Sequence, residues 1–107
     1  MSAGRLTTIV AVDVVGFSAM AEADAAGAVA AVAQLGERCA KSAEMYGGRI
    51  FNTSGDAVMM EFSSVSGGVH AAADLAADPD PPIRVAVHLG EVTSMPTGDL
   101  LGRGVSV

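Results

Sequence analysis

Thr7-Thr8-Ile9-Val10-Ala11-Val12, closed by Asp13, is the stretch on which the fold turns. Its residues are β-branched or apolar with no polar alternation, the pattern of a central strand covered on both faces. Downstream the period changes. Between Asp24 and Tyr46, Val29, Val32, Gly36, Cys39 or Ala40, and Ala43 recur at helical spacing, with Gln34, Glu37, Arg38 and Lys41 mostly between them. An amphipathic helix is predicted, N-capped by Asp24 and stopped at Gly47-Gly48. Its apolar face is small, rich in Ala and Gly, so it can lie close to what it covers.

Two short strands follow, Arg49 to Thr53 and Ala57 to Phe62, joined by the turn residues Ser54, Gly55 and Asp56. This is a hairpin signal. A second helix is expected from Val65 to Ala77, with Val69, Ala72, Ala73 and Ala76 on one face. Ser64 or Ser66 caps it, and the prolines of Asp78-Pro79-Asp80-Pro81-Pro82 end it. Ile83, Val85 and Val87 then alternate with Arg84, Ala86 and His88 as a fourth strand. The remainder is punctuated by glycine and carries Leu100-Leu101. No internal repeat or linker is present.

The order βαββαβ is the ferredoxin-like split unit, an α+β fold in which an antiparallel sheet carries helices on one face. Right-handed crossovers give the spatial strand order four, one, three, two. The first and third strands are then antiparallel neighbours, and the end of one meets the start of the other. Asp13 and Asp56 stand at those two places.

The chain has 107 residues, 50% hydrophobic, with 6 basic and 12 acidic side chains and a formal charge of −6, which fits one compact domain spanning residues 1–107. Too few clustered Lys and Arg are present for sequence-independent nucleic-acid binding. No apolar run reaches the roughly 18 residues of a membrane span, so no membrane contact is expected from this segment. The lone Cys39 cannot pair within the chain and has no CxxC partner, which points to a reducing, cytoplasmic setting.

Each aspartate alone is ordinary strand-end or turn chemistry. Together they pose an electrostatic problem. Two like charges about 4 Å apart at an effective dielectric near 20 repel by roughly 4 kcal/mol. A shared proton or hard divalent cations could offset this, the second where backbone oxygens and a phosphate complete the shell. Val14-Val15-Gly16-Phe17-Ser18 follows Asp13 and precedes a helix, so its backbone amides could cradle an anion. Two ions there would suit phosphoryl transfer.

These residues resemble the catalytic domain of class III adenylate/guanylate cyclases. AVDVVGFSAM is similar to the family's first metal-binding segment, GGRIFNTSGDAVMMEF to its hairpin, RVAVHLGEV to the strand after it, and GDLLGRGVSV to the start of its last conserved segment. The four motifs, in order, cover nearly the whole chain. The resemblance implies a homodimer that turns ATP or GTP into the 3′,5′-cyclic nucleotide and pyrophosphate, using two Mg²⁺ or Mn²⁺ ions per site. Asp13 and Asp56 match the metal-binding aspartates, with the Val14 carbonyl as a further ligand. Val15, Gly16, Phe17 and Ser18 match the loop that wraps the triphosphate. Asn52 and Asp99 fall at the purine-reading positions, contributed by the partner protomer.

Departures from the family pattern are specific. Adenylate cyclases usually carry Lys where Asn52 stands. Ser106 occupies the place of the Asn that orients the ribose, and the sequence reaches Val107 before the Arg that stabilises the transition state. The resemblance therefore covers a domain incomplete at its C-terminal end, holding the metal half of a site and little of its transition-state half. The alternatives are a degenerate module that binds nucleotide or dimerises without catalysis, and another two-metal phosphohydrolase. Elsewhere, His88 is expected at a strand end, His70 on a solvated helix face, Glu91 at a sheet edge, and Met59 and Met60 on opposite faces of their strand. Arg103 could reach a phosphate or sit solvated in its loop.

Overall fold

The computed structural model describes residues 5–94 and 100–102. In chain order it contains β1 (Arg5–Val14), α1 (Phe17–Ala23), α2 (Ala25–Tyr46), β2 (Gly48–Ser54), β3 (Ala57–Phe62), α3 (Val65–Ala77), β4 (Ile83–Ser94) and β5 (Leu100–Gly102). The sheet order is β2-β3-β1-β4-β5, with every neighbouring pair antiparallel. The expected βαββαβ arrangement is present, extended by β5 beside β4 and by the short helix α1.

TTIVAV lies at the centre of β1, hydrogen-bonded to β3 on one side and β4 on the other. The strand is longer than its apolar run. Asp13 pairs with Ala57 and Arg84, and Val14 with Ile83, so the ladder continues through the aspartate rather than ending at it. β4 is longer too and runs to Ser94, which puts His88 opposite Ile9 within the strand instead of at its end.

Strand alternation divides the apolar residues between two faces. Val10, Val12 and Val14 join Val58, Met60 and Phe62 beneath Leu35, Cys39 and Ala43 of α2 and Ala71 and Leu75 of α3. The other face, which carries no helix among the described residues, buries a smaller group of Ile9, Met59 and Val92, with Ala11 and Phe51 packed against it. Met59 and Met60 thus divide between the faces as the alternation predicts. Burying a side chain such as Phe62 or Leu35 stabilises the fold by about 1.5–3 kcal/mol. Cys39 is a packing residue, and burial pushes its thiol up to about 11 against the opposing charge of Arg38.

Both long helices are turned relative to the faces expected from the sequence. The stripe of α2 against the sheet is Ala28, Ala31, Leu35, Cys39, Ser42 and Ala43, leaving Val29 exposed. In α3 it is Gly67, Gly68, Ala71 and Leu75, leaving Val69 on the flank. Close approach explains α3: a Cβ at Gly68 would stand 2.5 Å from the Thr8 methyl, so only glycine lets the helix lie on that line. Capping follows expectation. Asp24 accepts the Gly27 amide at 3.0 Å, and Ser64 rather than Ser66 accepts the Gly67 amide at 2.9 Å. Gly47, at φ +76°, closes α2 in the left-handed region.

Candidate active site

Asp13 occupies the penultimate position of β1, on the helix-free face. Its neighbour in β3 is Ala57, and Asp56 immediately precedes that residue in the two-residue turn Gly55-Asp56, where Gly55 takes φ +56°. The topology therefore brings the two aspartates to one corner of the sheet, as the strand order predicts.

The corner also contains a cation that sequence reasoning missed. Arg84 is the direct cross-strand partner of Asp13 in β4. Its Nε donates to one carboxylate oxygen at 3.1 Å and its Nη2 to the other at 3.0 Å, a two-pronged fork. Hydrogen bonding to Asp13, and the charges of Asp13 and Asp56, hold its proton more tightly than usual. Arg84 supplies part of the offset that two neighbouring carboxylates require. The pair is open to solvent, with side-chain exposures of 72% for Arg84 and 35% for Asp13, so the fork can be exchanged for another partner.

The loop after β1 is shaped by Gly16, which takes φ +67° and caps α1 without a side-chain hydrogen bond. The Gly16 carbonyl accepts the Met20 amide at 3.0 Å. Phe17 turns its ring toward the main core, whereas Val15 and Ser18 are exposed. One expectation needs correction: the Val15 amide donates to the Pro82 carbonyl at 2.9 Å and is not available to a ligand. Val14 buries its side chain, leaving only backbone atoms to face one.

Asn52 pairs with Met59 after an irregularity in the β2–β3 register, which places it on the same sheet face as Asp13. Two strand spacings and two residues of rise separate the positions, a distance of about 12 Å. Asp99, Arg103 and Ser106 lie outside the described residues. His70 is exposed, stacked on Tyr46 and bonded to Ser66, and Glu91 is exposed in β4. Among the described residues no three His, Cys, Asp or Glu side chains converge. The corner thus offers two carboxylates and backbone carbonyls, a hard-oxygen donor set of the kind Mg²⁺ and Mn²⁺ favour.

No family model matches the chain. It is 35% identical over 115 aligned positions to a Rhizobium meliloti (strain 1021) protein named "Putative adenylate cyclase 3", an alignment covering 96% of this chain and 19% of that protein. Among solved structures it is similar to the catalytic core of a rhodopsin-guanylyl cyclase with converted specificity in complex with ATPαS. That match has a TM-score of 0.80 and 19% identity, covering 95% of this chain and 67% of the other. It is similar also to the guanylate cyclase domain of RhGC from Catenaria anguillulae in complex with GTP, with a TM-score of 0.76, 19% identity and coverages of 95% and 68%. The resemblance carried by the four motifs is borne out: this is the fold of the class III adenylate/guanylate cyclase catalytic domain. The chain spans about a fifth of the curated relative's length. No helix among the described residues is long and apolar enough to cross a membrane.

Proposed function

We propose that residues 1–107 are the metal- and phosphate-holding part of a purine nucleotide cyclase domain that converts ATP or GTP to the 3′,5′-cyclic nucleotide and pyrophosphate. The observation that carries this reading is the corner where Asp13, Asp56 and Arg84 meet, on a fold shared with cyclases that bind ATPαS and GTP. Asp13, Asp56 and the Val14 carbonyl would hold the two Mg²⁺ or Mn²⁺ ions. When bound, such ions neutralise polyphosphate charge and make a ribose hydroxyl a better nucleophile.

The chain's own residues then have distinct tasks. A cation on Asp13 would compete with the Arg84 fork for the carboxylate's charge and lone pairs, so occupation of the corner would loosen the guanidinium. Loosened, Arg84 is exposed beside the place where phosphates would lie and can take a phosphate oxygen in the same two-pronged geometry. Gly16 and Ser18 would wrap the phosphates, with Val15 and Phe17 shaping that loop through their backbone. In the reaction the ribose O3′ bonds to the α-phosphorus, the bond from that phosphorus to the pyrophosphate oxygen breaks, and the hydroxyl proton passes to solvent water. Asn52, Asp99 and Ser106 of a second copy would contact base and ribose, making the working unit a cytoplasmic homodimer.

Cyclic-AMP and cyclic-GMP formation by the whole protein with Mn²⁺ tests the proposal. Product is expected, and Asp13→Ala should lower its formation by about 100-fold or more. Absence of product together with absence of metal and nucleotide binding would sink the idea. Asn52, where Lys is usual, favours a second reading in which the domain binds nucleotide without turning it over. Retained nucleotide binding with no cyclic product would select it.

A further inference from the structure

The turn between α3 and β4 is poor in backbone donors, and a side chain from another element supplies what it lacks. Residues 79–82 are Pro79, Asp80, Pro81 and Pro82, so among them only Asp80 has an N–H, and that donates to the Asp78 carboxylate at 3.1 Å. The loss reaches back into α3. Its Leu75 carbonyl would accept from the residue four places on, which is Pro79 and carries no donor. α3 also has no basic residue in its last turn to face its terminal carbonyls. Arg38 of α2 fills the gap. Its Nη2 donates to the Leu75 carbonyl at 2.6 Å, its Nη1 donates to the Asp80 carbonyl at 3.3 Å, and its Nε lies 3.8 Å from the Asp78 carboxylate. The side chain is 16% exposed, against 72% for Arg84, so this guanidinium is held in place.

The turn leads straight into the Asp13 corner. The Pro82 carbonyl accepts the Val15 amide at 2.9 Å, and the next two residues, Ile83 and Arg84, pair with Val14 and Asp13. We propose that Arg38 is a positioning residue for the phosphate loop. By fastening the end of α3 and the proline turn, it holds the Pro82 carbonyl where it captures the Val15 amide, and so sets residues 15–18 relative to Asp13. Gly16, at φ +67°, turns the chain directly after Val15, so a displaced Val15 carries the Gly16 and Ser18 amides with it. Displacements of about 1 Å are enough to matter, because phosphate binding depends on the aim of backbone donors. The loop's role as a phosphate holder rests on the cyclase reading; its anchoring by Arg38 does not.

Amide exchange on the intact chain, followed by NMR, compares Val15 with Val10 at the centre of β1, so that the ratio separates local release from global opening. In Arg38→Met the Val15 amide should exchange about tenfold faster relative to Val10, the scale of one charge-assisted contact. Arg38→Lys keeps the charge but reaches one carbonyl at a time. It should show a smaller acceleration, and it carries the comparison if Arg38→Met does not fold. Glu61→Ala is the control: it breaks the ion cluster that Glu61 forms with Arg5 and Arg49 at the opposite end of the helix-free face, and should leave the ratio unchanged. In the whole protein Arg38→Lys should raise the nucleotide KM about fivefold with kcat changed by less than about twofold, a loss of binding rather than of chemistry. Absence of turnover in the parent would count against the cyclase reading alone and leave the exchange ratio to decide on Arg38. An unchanged ratio in both Arg38 variants, or the same acceleration in Glu61→Ala, would overturn the proposal. So would a KM that stays at the parental value in an active protein.

Discussion

The two ends of the helix-free face put the same kinds of side chain to opposite arrangements. At the Asp13 end one carboxylate meets one guanidinium in the open, with a second carboxylate, Asp56, nearby. At the Arg5 end the carboxylate is only 10% exposed and two half-exposed guanidinium groups close over it. Burial and stoichiometry decide what each can do. An exposed one-to-one pair contributes little to stability and can trade its partner for a cation. A buried carboxylate under two cations is fixed in place, because losing either kind of partner leaves charge with poor solvation. The first end is suited to exchange, whereas the second ties β1, β2 and β3 together.

Substitutions at the two ends should therefore separate activity from stability. Asp13→Ala in the whole protein should lower cyclic-nucleotide formation by about 100-fold or more, the scale of removing a preorganised electrostatic group. The unfolding free energy should change by less than about 1 kcal/mol. Paired turnover and urea-melt measurements check this, and a variant that melts early while turning over normally would reverse the assignment. Glu61→Ala should do the opposite. Breaking a buried pair costs ~3–5 kcal/mol, and half-exposed partners reduce that to about 2 kcal/mol. For a domain of this size such a loss lowers the midpoint by roughly 8–16 °C, readable by calorimetry. Arg84→Ala sharpens the contrast further: stability should move by less than about 1 kcal/mol, while Mn²⁺ affinity should rise because Asp13 no longer has a competing partner. Weaker Mn²⁺ binding would show that Arg84 holds Asp13 ready instead of competing for it.

Much of this contrast was legible before the structure. TTIVAV and the hairpin signal around Ser54-Gly55-Asp56 fix the strand order, and the strand order alone brings Asp13 and Asp56 to one corner. Arg84 could have been found in the same way. It is the first polar residue in the Ile83, Val85, Val87 alternation, so it faces away from the helices as Asp13 does; only the β1–β4 register was missing. Glu61 was harder. Alternation in MMEF puts it on the face of Met59, but its burial depends on Arg5 and Arg49 arriving from two other strands. The helix faces were misjudged for a different reason. Where most candidate residues are Ala, Val and Gly, hydropathy barely distinguishes one stripe from the next. The choice falls to steric fit, with Gly68 against Thr8 in α3 and the bulk of Leu35 in α2. β5 is only three residues long and the far half of β4 lacks the apolar alternation of Ile83, Val85 and Val87, so their strand character comes from their partners.

The smallest expected effect lies in the acid dependence of the Glu61 cluster. Burial alone would raise the Glu61 carboxyl, but hydrogen bonds and charge from Arg49 and Arg5 outweigh it and hold the group below its ordinary value of 4.5. In the folded state it binds its proton less readily than in the unfolded chain. Its contribution to stability is therefore fully present above pH 4.5 and declines as pH falls through the lower folded value. Glu61→Gln lacks this titration. Urea melts of the two proteins between pH 7 and pH 3 should give a difference that is constant down to about pH 5 and shrinks below it. No comparable slope should separate Arg84→Ala from the parent, because the Asp13 pair is exposed and contributes little at any pH. A difference for Glu61→Gln that persists unchanged to pH 3 would mean that packing and hydrogen bonding, rather than charge, hold the cluster together. The contrast between the two ends would then rest on burial alone.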